Sequence, residues 1–200
     1  MPEKELQRKS SHHYIHSKNH KWTTKIMPGE FYATANDEML VTVLGSCIAA
    51  CIYDEQTGLG GMNHFMLPHS EDGKWAGNSL ATRYGNFAME HLINELLKKG
   101  ALKERLRAKI YGGGDCISST RKTVGNANID FVREYLKVEK IKILDEDLGG
   151  NCSRKIYFTP NNGQTTVKKI HIKNDTIRER EDRYEHELEV NKIDNDIELF

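Results

Sequence analysis

Cys47 and His64 are the residues in this sequence whose types and settings suit nucleophilic chemistry. Cys47 follows a β-branched apolar run and a Gly-Ser break, VTVLGSC, and His64 lies in GGMNHFMLP. A cysteine at the lip of a tight turn presents its sulfur while its backbone stays anchored. The same turn aims the backbone N–H groups of Ser46 and Cys47 toward one point, the raw material of an oxyanion hole. His64 is the candidate base for the thiol proton, and Thr42 or Asn63 is the candidate to orient its imidazole. An unperturbed cysteine titrates at about pH 8.5, so the thiol needs such help near neutrality. Spacing along the chain says nothing about distance in space, so the pair alone names no reaction.

Each of these residues also has a plainer reading. His64 between Asn63 and Phe65 fits a satisfied core histidine, and Thr42 fits an ordinary β-branched strand residue. Cys51, Cys116 and Cys152 read as small buried or half-buried residues. A metal site at Cys47 and Cys51 lacks a second pair at zinc-finger spacing. If that segment is a strand, their Cα atoms stand ~13 Å apart, too far for a disulfide. Residues 11–20 (SHHYIHSKNH) carry metal-capable histidines, but without periodicity they read as unstructured. Gly112-Gly113-Gly114 lacks both the Walker lysine and the GxGxxG spacing, so close backbone approach beside a cleft is the better reading. Arg83 is equally a substrate contact or the partner of a structural carboxylate, and His69 is a bystander near the site.

The elements that must position these residues follow from pattern. Met39–Leu44 reads as a buried strand, Cys47–Tyr53 as a second, and Gly60–Met66 as a third that Pro68 ends. Glu30–Ala35 reads as an edge strand. A helix capped by Asn78 or Ser79 runs to about Lys99, with Tyr84, Ala88, Met89, Leu92, Ile93 and Leu96 on one face and Gly100 closing it. Leu106, Ala108 and Ile110 alternate as a strand does. A second helix spans Asn126 to about Val138, and Ile141–Leu144 is a strand. Arg154–Thr159 and Gln164–Ile172 form a hairpin around Pro160–Gly163. The sum is an α/β layered sandwich in which mixed β-sheets pack together under two main helices, in a single domain.

A chain of 200 residues suits one domain with a substantial core. Lys plus Arg and Asp plus Glu both number 29, so nothing overall favours nucleic acid or a membrane surface. Charge is uneven along the chain. Residues 1–29 hold six Lys/Arg, two Glu and four His, and residues 171–200 hold ten acidic and five basic residues. The expected organisation is a flexible basic extension at 1–28, a catalytic domain at 29–172 and a charged acidic extension at 173–200, with residues 1–28 and 176–200 dispensable for activity. Within the last, residues 177–190 read at most as a solvated helix with a thin apolar face. No signal peptide or long apolar run is evident, which points to the reducing cytoplasm and free thiols.

Several motifs together resemble one family, the chemoreceptor glutamine deamidases (CheD). LGSC and GGMNHFMLP are followed in order by TRYGNFAMEHLI (82–93), YGGGDC (111–116), VGNANIDFV (124–132) and DLGGNCSRKIYFTPNNGQTTVKKI (147–170). The resemblance spans residues 29–170. It implies a cytoplasmic enzyme with Cys47 as nucleophile, His64 as base and Thr42 as the third residue. The implied reaction turns receptor glutamine into glutamate through a thioester, with Ser46 and Asn63 as oxyanion or orienting candidates and no metal or organic cofactor. Hydrolysis of glutamate methyl esters at the same site is chemically reasonable. The implied partners are methyl-accepting chemotaxis receptors and, in some bacteria, a CheC-type phosphatase. Two other readings stand beside it: a non-catalytic adaptor for receptor or phosphatase, and a cysteine hydrolase of small amides.

Overall fold

The computed structural model of the protein describes residues 8–9, 12–16, 20–67, 80–114, 121–170, 177 and 179–188. Two sheets pack face to face. The first is six-stranded, in the order β1 (Arg8–Lys9), β4 (Glu30–Thr34), β7 (Gly60–His64), β6 (Ile48–Asp54), β8 (Leu106–Gly112) and β9 (Lys142–Leu148). The second is five-stranded, in the order β11 (Gln164–Ile170), β10 (Ser153–Thr159), β5 (Met39–Leu44), β3 (Trp22–Lys25) and β2 (His12–Ile15). Helices α1 (Leu80–Lys98) and α2 (Arg121–Val138) cover the outer face of the first sheet. The expected layered α/β sandwich is the architecture observed.

The central strand β6 is buried at every position, because helices cover one of its faces and the second sheet covers the other. Small residues (Ala49, Ala50, Cys51) let both layers come close. Along β7 the alternation of side chains does the sorting. Asn63 turns toward α1, where its Nδ2 donates to the Ala88 carbonyl at 3.0 Å. His64, the next residue, turns toward the second sheet.

The N-terminal expectation is corrected. Residues 22–25 form β3, an interior strand of the second sheet, with Thr23 and Thr24 fully buried and Ile26 in the core. The histidine-rich stretch supplies β2, where His13 Nδ1 lies 2.8 Å from Thr24 Oγ1. The strand is hidden in WTTKI because its two fully buried residues are adjacent polar threonines, yet both hydroxyls are used. Thr23 donates to the Lys21 carbonyl, and Thr24 donates to buried Glu38 at 2.9 Å. Helix α2 begins earlier than expected, and β9 runs on to Leu148. The C-terminal reading also changes. Residues 177 and 179–188 are helical (α3), and Ile177, Glu181, Tyr184 and Leu188 are buried against the domain. Cys116 and His69 lie outside the described residues, as does the side chain of Arg83.

Candidate active site

The chain passes from one sheet to the other at Gly45-Ser46-Cys47. Strand β5 leaves the second sheet at Leu44, and β6 enters the first at Ile48. Thr42 and Cys47 therefore belong to different layers. Strands β6 and β7 are antiparallel, with Cys51 opposite Met62 and Ile48 opposite Phe65. That register sets Ala49 opposite His64, with Cys47 two residues further along the same face. Diagonal neighbours of this kind lie ~7–8 Å apart by Cα, within reach of a cysteine and an imidazole.

His64 is tied on one side and open on the other. Its Nδ1 lies 2.8 Å from Thr42 Oγ1, and that hydroxyl also lies 2.8 Å from the Ile26 carbonyl. A carbonyl can only accept, so Thr42 donates to Ile26 and accepts from His64 Nδ1–H. This assigns the proton to Nδ1 and leaves Nε2 with its lone pair. Nε2 is buried and has no hydrogen-bond partner, the Cys47 thiol included. Burial holds the imidazole pKa down to about 4 from 6.5, with the negative field of Glu181 pulling the other way and losing. A neutral imidazole with an available Nε2 is what a general base requires.

The Gly-Ser-Cys turn is held by all its carbonyls. Gly114 N donates to the Gly45 carbonyl at 2.7 Å and Gly113 N to that of Cys47 at 2.8 Å. Between them, Asn128 Nδ2 on α2 donates to the Ser46 carbonyl at 2.9 Å, while Asn128 Oδ1 accepts from Leu67 N. The glycine run works by close approach. At Gly112 (φ +118°) a Cβ would fall 2.0 Å from the Cys47 carbonyl oxygen, so no other residue fits.

With the carbonyls pinned to the scaffold, the N–H groups of the turn share the opposite side, and one carboxylate fills it. Glu181 Oε1 accepts from Gly45 N at 2.8 Å and Cys47 N at 3.4 Å, and Oε2 accepts from Ser46 N at 3.2 Å and Ser46 Oγ at 2.9 Å. Glu181 is carried on α3. A narrow cleft between that helix and the domain is lined by Lys25, Ile26, Thr42, His64, Arg180 and Glu181.

The family described as CheD chemotactic sensory transduction matches residues 66–169. A "Probable chemoreceptor glutamine deamidase CheD" of Janthinobacterium sp. (strain Marseille) is 49% identical over 178 residues, covering 88% of each chain. A protein of the same name from Herminiimonas arsenicoxydans matches to the same extent, 49% over 178 residues and 88% of each chain. The chain belongs to the CheD family. Among solved structures, a Bacillus licheniformis hypothetical protein, YfiH, aligns at 15% identity over 58% of this chain and 49% of its own, with a TM-score of 0.39.

In this CheD chain the residues singled out from sequence separate into two groups. Thr42 hydrogen-bonds His64, and Ser46 and Cys47 meet Glu181, which lines the same cleft as that pair. Asn63 does not join them. Its Oδ1 accepts from Ala50 N and its Nδ2 faces α1, so it braces β6 and β7 to the helix and leaves the imidazole alone. Cys51 is sealed in the core, and burial pushes its thiol pKa far up, which makes it a poor thiolate. Three contributors escaped sequence reading: the Ile26 carbonyl, Asn128 and Glu181. An asparagine on the otherwise apolar inner face of α2 was the available signal for Asn128. A glutamate on the same helical stripe as Ile177, Tyr184 and Leu188 was the signal for Glu181. No helix among the described residues is long and apolar enough to cross a membrane.

Proposed function

We propose that this protein is a cysteine-dependent chemoreceptor glutamine deamidase acting in the cytoplasm. The observation that carries this reading is a proton-accepting imidazole nitrogen, His64 Nε2, buried and unused at the cleft where Glu181 meets the Cys47 turn. The names of relatives 49% identical over most of the chain supply the substrate class.

In this mechanism His64 Nε2 takes the thiol proton, and Cys47 Sγ attacks the carbon of the glutamine side-chain amide. Negative charge moves to the amide oxygen and is met by the N–H groups of Gly45, Ser46 and Cys47. The C–N bond then breaks, and His64 returns its proton to the departing nitrogen as ammonia. Water, deprotonated by His64, attacks the thioester carbon. The C–S bond breaks, the thiol regains a proton, and glutamate leaves. Thr42, anchored on the Ile26 carbonyl, holds Nδ1–H and so leaves Nε2 as the nitrogen that takes and returns protons. A glutamate methyl ester has the shape of glutamine, so the same machinery suits ester hydrolysis, with methanol as the leaving group. Partners in this reading are the helical cytoplasmic region of methyl-accepting receptors and a CheC-type phosphatase.

The test is mass spectrometry of receptor peptides after incubation with the protein. Replacing an amide by an acid adds about one dalton. Wild type and Cys51→Ala are expected to produce that gain, and Cys47→Ala and Cys47→Ser are expected to lose it while folding normally. Full deamidation by Cys47→Ala would reject the mechanism.

A further inference from the structure

The turn that is to bind the reacting oxygen is already occupied by part of the same chain. Glu181 fills the N–H cradle assigned above to the reacting oxygen, with one oxygen between the N–H groups of Gly45 and Cys47 and the other on Ser46. The occupant is chemically the product side chain, and it is delivered by a helix. Cys47 is 0% exposed and His64 1% exposed beneath it, so no second protein reaches the sulfur while α3 stays in place.

The helix is seated by more than one residue. Ile177, Glu181, Tyr184 and Leu188 recur at helical spacing and form its single buried stripe. Tyr184 hydrogen-bonds the hydroxyl of Tyr84 on α1 and lies against Gly29, where a Cβ would be 2.8 Å from its ring. The opposite side of α3, with Glu179, Arg183, His186 and Glu187, is exposed. An amphipathic helix laid in a groove by anchors at these intervals is a general mode of peptide recognition.

We propose that α3 occupies, within the chain, the site of the substrate helix, with Glu181 held as a tethered product in the N–H cradle beside Cys47. The proposal rests on the deamidase reading and extends it to how the site is closed. A tethered ligand acts at an effective concentration in the millimolar range for a short linker, so a receptor helix must outcompete it. The cradle also favours the acid over the amide. A carboxylate accepts from all the donors around it, whereas an amide turns its own NH2 against one of them, the Ser46 N–H or hydroxyl. An encoded glutamate is therefore a firmer lock than a glutamine.

This has a chemical consequence that a merely structural contact lacks. In the full-length Glu181→Gln variant the introduced amide becomes a substrate in cis. Cys47 Sγ bonds to its side-chain carbon, ammonia leaves with the proton from His64, and water then displaces the thiol to restore glutamate. The experiment follows position 181 by peptide mass spectrometry in the purified full-length variant, alone and combined with Cys47→Ala. Expected is a gain of about one dalton at position 181, at a rate independent of protein concentration and absent in the double variant. In parallel, full-length Glu181→Ala is assayed on receptor peptides and is expected to turn over roughly tenfold faster or more, the factor one charge-assisted hydrogen bond is worth. If Glu181→Gln fails to fold, the alanine arm decides. A persistent amide in a folded Glu181→Gln chain that still deamidates receptor, or a Glu181→Ala chain no faster than wild type, overturns the tethered-product inference and leaves the deamidase reading standing. A wild-type chain that leaves receptor glutamine unchanged, together with an unconverted position 181, overturns both.

Discussion

The two ends of this chain are both rich in charge, of opposite sign, and opposite in structural role. Both are charged and poor in apolar residues. The N-terminal segment enters the fold through backbone pairing. Strand β3 lies between β5 and β2, Ile26 N donates to the Val41 carbonyl, and the Ile26 carbonyl takes the Thr42 hydroxyl that orients His64. The C-terminal helix enters through side chains alone among the contacts described. Glu181 grips the turn, and Ile177, Tyr184 and Leu188 pack around it. A strand inside a sheet cannot leave without stranding its neighbours' N–H and C=O groups, each costly when buried. A helix carries its own backbone hydrogen bonds away with it and can leave as a unit. The first end is part of the machine, and the second is placed to regulate it.

Truncation gives the largest expected contrast. Starting the chain at residue 29 removes an interior strand and the buried Ile26, whose burial alone is worth ~1.5–3 kcal/mol. Against a typical stability of about 5–15 kcal/mol, the combined loss is expected to abolish the cooperative thermal transition. Ending the chain at residue 172 is expected to preserve that transition at a lower Tm and to raise turnover on receptor peptides. Differential scanning calorimetry and the deamidation assay read both. Equal behaviour of the two truncations would erase the distinction between them.

A smaller effect is expected at the joint between the N-terminal segment and the site. Thr42→Val keeps shape and branching and removes the hydroxyl, leaving the Ile26 carbonyl and His64 Nδ1–H without their shared partner. An orienting hydrogen bond worth about 0.5–1.5 kcal/mol corresponds to a roughly threefold to twelvefold loss of turnover. The loss is expected to be clear but smaller than in His64→Ala, and wild-type turnover in Thr42→Val would return Thr42 to a plain strand residue. Tm should fall as well, since two buried polar groups lose their partner.

The mildest difference is one of pH. The His64 imidazole titrates at about 4 in the closed fold and at its ordinary 6.5 in the unfolded chain. Between these values the unfolded chain binds more protons, so this group's contribution to stability falls as pH drops from 6.5 toward 4 and is constant above 6.5. Tm of the wild type should decline more steeply on acidification through this window than Tm of His64→Gln. Opening the site by ending the chain at residue 172 hydrates the imidazole, so the decline in that chain should be shallower too. Parallel curves in all three proteins would mean that His64 is not held neutral by burial.

What was legible in the sequence was whatever depends on neighbours along the chain. Alternation and β-branching marked Met39–Leu44 and the strands after it, the spacing of Tyr84, Ala88, Leu92 and Leu96 marked α1, and the Gly-Ser break marked the turn that carries Cys47. Cys47, His64 and Thr42 were singled out because ordered motifs surrounded them, and the fold brings the Thr42 hydroxyl onto His64 Nδ1. What only the tertiary structure decided was which polar groups meet across layers. Asn63 and His64 are adjacent in sequence, and the pleat sends them to opposite faces, one to brace a helix and one to the site. WTTKI and the residues around Glu181 each looked solvated because their polar side chains find partners only in three dimensions: Thr24 on Glu38, and Glu181 on the N–H groups of a turn more than a hundred residues earlier. A hydrogen bond between distant segments leaves no periodicity in the sequence of either one, so composition read both ends as tails and the fold made one a strand and the other a lock.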